Sequence, residues 1–130
     1  MKANEFIKEI GWFEAGLWLS AADSQNMSWL PTDYGSIDVD ELGALLHSEE
    51  IIQKLGGLDK AKQILSKAPS NAESYQDVYY FRTKPEFLFH NGFHHWNMTE
   101  NDGQWFKDRG FYPTSIVDLK QAIADVESCQ

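Results

Sequence analysis

The chain has 130 residues, 42% of them hydrophobic and 14% aromatic, enough for one packed domain and too few for two of ordinary size. Eleven basic against twenty acidic residues leave a formal charge of −9, which repels phosphates and argues against direct binding of DNA or RNA. The single cysteine, Cys129, excludes an internal disulfide and any multi-cysteine zinc site.

The opening "MKANEFIKEIGW" mixes charge into its first turns and lacks the apolar middle of a secretion signal, so a cytoplasmic location is expected. Apolar runs such as "GALL" and "FLF" fall far short of the roughly 20 residues that cross a bilayer, and no membrane association is expected. The first elements are helical. "EFIKEIG" (5–11) predicts a short helix, Gly11 a bend that costs about 1 kcal/mol in a continuous helix, and "AGLWLSAADS" (15–24) a longer one. Then "DSQNMSWLPTDYGS" (23–36), rich in turn formers, reads as a loop anchored by Trp29 and Tyr34.

From Asp38 a further helix is expected, with Val39, Leu42 and Leu46 on one face and Glu41 three residues after Asp38 in a capping box. The pattern then starts again. "EIIQKLG" (50–56) repeats 5–11 at an offset of 45, and "AKQILSKAPS" (61–70) repeats 15–24 at 46. Leu58, Ala61, Ile64, Leu65 and Ala68 form an apolar stripe, Asp59, Lys60, Lys62, Gln63 and Lys67 face water, and Pro69 ends the helix. "SIVDLKQAI", from Ser115, repeats "DVDELGALL" at an offset of 77, with Ile116, Leu119 and Ile123 on the matching face and Ser115–Asp118 as the matching cap.

Between these helices, "VYYFRT", "EFLFH", "FHHWNM" and "QWFKDRGF" are punctuated by Lys84-Pro85, Asn91-Gly92 and Asp102-Gly103, the rhythm of an antiparallel meander. The expected fold is α+β: a two-copy helical pseudo-repeat with one small antiparallel β-meander inserted in the second copy. It forms a single domain over 1–130, with a first helical copy at 1–48 and a second at 49–130 that carries the meander at about 77–112.

Three histidines crowd the Asn91-Gly92 hairpin signal. A two-residue type I′ turn there would set Phe89 opposite His94, Leu88 opposite His95 and Phe87 opposite Trp96. Leu88, His90, Phe93 and His95 then share one face and Phe87, Phe89, His94 and Trp96 the other, heavier one, which is expected to pack against helices. A metal-dependent enzyme built on His90, His94 and His95 is one reading, but zinc needs at least three protein ligands and no acid is forced onto the same patch. No metal or cofactor is expected. Glycine-rich phosphate loops are absent, the serines sit mostly at helix ends where capping explains them, and Cys129 is expected to fray with the terminus. What remains is aromatic surplus, which points to a contact patch of Leu88, His90, Phe93 and His95 joined by Phe106. A homodimer contact would use that patch equally well.

The segments "EFIKEIGW", "LHSEEIIQKLGGLDKAKQILSKAPSNAESY" and "VDLKQAIADVES", separated by an aromatic meander, resemble small accessory proteins encoded by phages and prophages of gammaproteobacteria, most of them uncharacterised. The resemblance covers about half the chain and brings no functional residues with it. It implies a protein that acts in a bacterial cytoplasm by binding and blocking a host protein or a defence complex. With the acidic charge, the aromatic surplus and the absent catalytic constellation, the expected function is non-catalytic binding or inhibition. A second alternative is an acidic mimic of nucleic acid, competing for a basic groove.

Overall fold

The computed structural model describes residues 1–76, 80–83, 88–90, 95–97 and 114–130. In chain order these form α1 (Ala3–Ser24), β1 (Trp29–Thr32), β2 (Gly35–Asp38), α2 (Val39–Lys54), α3 (Leu58–Ser66), β3 (Ala72–Gln76), β4 (Tyr80–Thr83), β5 (Leu88–His90), β6 (His95–Asn97), β7 (Thr114–Ser115) and α4 (Ile116–Ser128). Four helices and two antiparallel sheets among the described residues make the fold α+β. None of these helices is long and apolar enough to cross a membrane. The chain divides into two compact units, Met1–Lys54 with Gln121–Gln130, and Leu55–Lys120.

In the first unit, α1 begins with Ala3, Phe6 and Ile7 at helical spacing, and this face is buried. An unbroken helix would carry the same face on through Ile10 and Phe13 to Leu17. Gly11 prevents that. Its φ of 84° and ψ of 165° leave the helix for a region open almost only to glycine. The helix restarts with a different face inward: Ala15 and Ala22 are in the core, with Trp12 and Leu19 packed against it. The expected bend at Gly11 is present, and it decides what the following helix shows to water. α1 ends in a Schellman motif, where Asn26 takes a φ of 54°, Met27 N–H donates to the Ala22 carbonyl at 3.0 Å and Asn26 N–H to that of Asp23 at 3.2 Å.

The segment 23–36, expected as a bare loop, instead contributes most of a hairpin. β1 pairs with β2 with Leu30 opposite Ile37, both buried, and Trp29 opposite Asp38 on the other face. Its turn is held by Thr32, whose hydroxyl accepts from Tyr34 N–H at 3.1 Å and donates to the Gly35 carbonyl at 2.6 Å. Pro31 sits within β1, where proline is tolerated because both strands of a two-stranded sheet are edges. Asp38 ends β2 and caps α2, its Oδ1 accepting from Asp40 N–H at 2.9 Å and Glu41 N–H at 3.2 Å. Behind that cap, Val39, Leu42, Leu45 and Ile52 are buried, as are Ala122, Ile123 and Val126 of α4.

In the second unit, Gly57 precedes α3 with φ 106° and ψ 172°, and its carbonyl accepts from Ala61 N–H at 3.0 Å. The expected stripe is present: Ala61 and Ile64 are buried, Leu58, Leu65 and Ala68 half-buried, and the five polar residues exposed. The sheet runs in the order β6-β5-β4-β3-β7, every pair antiparallel. It starts at Ala72 rather than near 77, and β7 closes its other edge by pairing Ser74 with Ser115 and Tyr75 with Thr114. Ser115 also caps α4, its Oγ accepting from Asp118 N–H at 3.0 Å. Both sequence-derived helix starts therefore carry their caps. The "QWFKDRGF" segment lies outside the described residues.

Candidate binding surface

The sequence-derived patch divides. Leu88, His90 and His95 lie in β5 and β6, while Phe93, His94 and Phe106 fall outside the described residues. The register differs from the one a two-residue turn imposes. His90 pairs with His95, Phe89 with Trp96 and Leu88 with Asn97, so four residues, 91–94, join the strands. Residues 91–94 themselves lie outside the described residues; four-residue connections are also common in hairpins, and a longer one moves the pairing by two positions. A two-residue slip keeps side-chain parity, so Leu88, His90 and His95 still occupy one face by register, with Phe89 and Trp96 on the other. β4 and β5 align Phe81 opposite His90. Phe81 is only 3% exposed and its ring lies 5.2 Å from that of Tyr75. Among the described residues no three His, Cys, Asp or Glu side chains are grouped as metal ligands.

The exposed aromatic surface that can be described lies in the first unit. Phe13 is 77% exposed, Leu17 53% and Trp29 59%, and Trp18 and Tyr34 are also open to water. Phe13 and Leu17 are neighbours at i, i+4 on α1, on the side away from the buried Ala15 and Ala22. The exposed rings are propped from below. Buried Phe6 meets Trp18 edge-on at 6.3 Å and Tyr34 at 6.1 Å, which holds both against the core. Covering such side chains is worth about 1.5–3 kcal/mol each.

Charge is distributed as unevenly as the exposed rings. The first unit holds twelve carboxylates and three lysines, the whole of the −9, whereas Leu55–Lys120 holds eight of each sign. Acidic residues border the exposed rings, with Glu14 beside Phe13, Asp33 beside Tyr34 and Asp38 across the ladder from Trp29.

A groove of about 480 Å³ in the same unit is lined by Lys2, Asn4, Glu41, Leu45, Gln121 and Asp125 among others. Asp125 accepts from Ser48 Oγ at 2.6 Å and from Gln121 Nε2 at 2.8 Å, so both carboxylate oxygens are engaged in holding the unit together. Cys129, expected in a fraying terminus, is instead 7% exposed within the core cluster. Burial pushes its thiol pKa above the ordinary value, against a smaller lowering from the Ser128 hydroxyl. A buried neutral thiol is a poor nucleophile.

Sequence reasoning overlooked Phe13, Leu17 and Trp18, although a signal was present. "GWFEAGLWLSAA" has apolar residues around the whole helix, more than one buried face can absorb. Comparison with protein-family models, with curated proteins and with solved structures finds no match to this chain.

Proposed function

We propose that this chain is a non-catalytic binding protein that acts by occupying the surface of a host protein or protein complex. The observation that carries the reading is the exposed Phe13–Leu17 stripe, large apolar groups held outward by the break at Gly11. Rigid aromatic and aliphatic anchors of this kind dominate the centres of protein interfaces. The phage–host setting and an inhibitory outcome rest on the resemblance of the helical segments alone. The patch of Leu88, His90, Phe93, His95 and Phe106 is a second proposed contact, supported by the shared parity of its described members.

The test is retention from bacterial lysate by immobilised protein, comparing wild type with a Phe13→Ser/Leu17→Ser variant whose fold is checked by circular dichroism. A protein held stoichiometrically by wild type, lost from the variant and rebound after purification supports the role. Equal retention by both, or none by either, sinks it.

We also propose that the two halves descend from one plan. Support comes from the positive φ of Gly11 and of its counterpart Gly56, 84° and 102°, from caps at Asp38 and Ser115, and from the hydrogen bond between Ser48 and Asp125, positions that the offset of 77 makes equivalent. A residue that touches its own counterpart lies near a two-fold axis. A structure in which residues 5–46 and 50–123 superimpose poorly at these offsets overturns the repeat.

A further inference from the structure

The outward face of the β1–β2 hairpin joins an indole to a carboxylate. Trp29 and Asp38 are direct cross-strand partners, which sets their Cβ atoms about 4.5–5.5 Å apart. Trp29 is exposed, and the flanking residues Asp33 and Asp40 are exposed carboxylates. Both cap hydrogen bonds to Asp38 end on Oδ1, which leaves Oδ2 for a donor arriving from outside. An open indole face beside a carboxylate fits a guanidinium or ammonium, which can stack on the ring and donate to the oxygen together.

We infer that this hairpin face is the docking point for a lysine- or arginine-rich segment of a protein partner, with one cation seated between Trp29 and Asp38. The inference rests on the binding role proposed above and names the chemistry of what is bound. Charge complementarity selects this occupant. The unit that carries the face holds the entire −9 of the chain, so nucleic acid is repelled and a second copy of the chain brings the same charge against itself. A basic segment is attracted at long range and held at short range by the ring.

The test is titration of the full-length protein with a twelve-residue peptide alternating arginine and serine, with the site followed through the indole N–H resonance of Trp29 in wild type and the affinities of wild type and variants compared by isothermal titration calorimetry. The expected result is a saturable shift of that resonance that weakens steeply with added salt and is absent with the glutamine-for-arginine peptide. Trp29→Thr keeps strand propensity, Asp38→Asn keeps the helix cap, and each is expected to lower affinity about two- to fivefold. Equal affinity for both variants and wild type would mean diffuse charge attraction and overturns the proposal. So would a shift of Trp29 by a single-stranded oligonucleotide, or a dimer that buries Trp29 without peptide. If the host protein retained through Phe13 and Leu17 is held equally by Trp29→Thr and Asp38→Asn, the cation seat falls while the binding role stands.

Discussion

The two compact units divide the chain's resources in opposite ways. Met1–Lys54 with Gln121–Gln130 contains only six of the eighteen aromatic residues yet leaves four of them open to water, and it carries all of the net charge. Leu55–Lys120 contains the other twelve, balances its charges and joins five antiparallel strands in one sheet. Counting aromatic residues alone therefore does not say which rings are open to a partner: the aromatic-poor unit already presents four. Exposure is set by backbone breaks and ladder faces: Gly11 decides it along α1, and the outward side of the β1–β2 hairpin decides it for Trp29.

The largest effect that would sharpen this contrast is on stability. Phe6 is fully buried and touches two rings, so Phe6→Ala is expected to cost about 3–5 kcal/mol in urea denaturation, while Phe13→Ala on the same helix should stay within about 0.5 kcal/mol. Similar losses at both positions would mean that the α1 stripe is not free surface. Next comes Gly11→Ala. Open space surrounds the position, so the penalty comes from φ rather than from a clash, about 1–3 kcal/mol. No loss would indicate a continuous helix.

Smaller still are the caps, one at the start of each of two helices. Asp38→Ala and Ser115→Ala should each cost about 1 kcal/mol, and Asp38→Asn only a fraction of that, measured by the same denaturation. The smallest effect is on pH dependence. Because burial raises the Cys129 thiol pKa, the unfolded chain loses this proton first as pH rises through the ordinary thiol value of 9.0. The contribution is present in full below that range and declines above it until the folded thiol also titrates. A Cys129→Ser variant should lack this share of the alkaline decline, and identical profiles for the two proteins would contradict the burial.

Much of this was legible in the residues. The α3 stripe, both caps and the bend at Gly11 follow from periodicity and side-chain chemistry that act within a few residues. The β1–β2 hairpin was harder to read because its four-residue strands include Pro31, and the alternation of Leu30 with Trp29 and Pro31 is too brief to stand out. Hairpin register at 88–97 depends on how many residues the turn uses, and an Asn-Gly pair is compatible with two or four. The outward stripe on α1 was hidden by an extrapolation. Spacing from Ala3, Phe6 and Ile7 leads on to Phe13 and Leu17 unless the helix is broken, and how far a break rotates the next helix is not a local property.

Thiol accessibility along α1 puts the question most directly. Single cysteines replacing Phe13 and Ala15 in a Cys129→Ser background, treated with a water-soluble maleimide under native conditions, should differ sharply. Position 13 should react near the rate of an unfolded peptide, and position 15 should be strongly protected. Protection at 13 with reactivity at 15 would mean that α1 runs straight through Gly11, and the outward apolar anchors on which the binding role depends would be part of the interior.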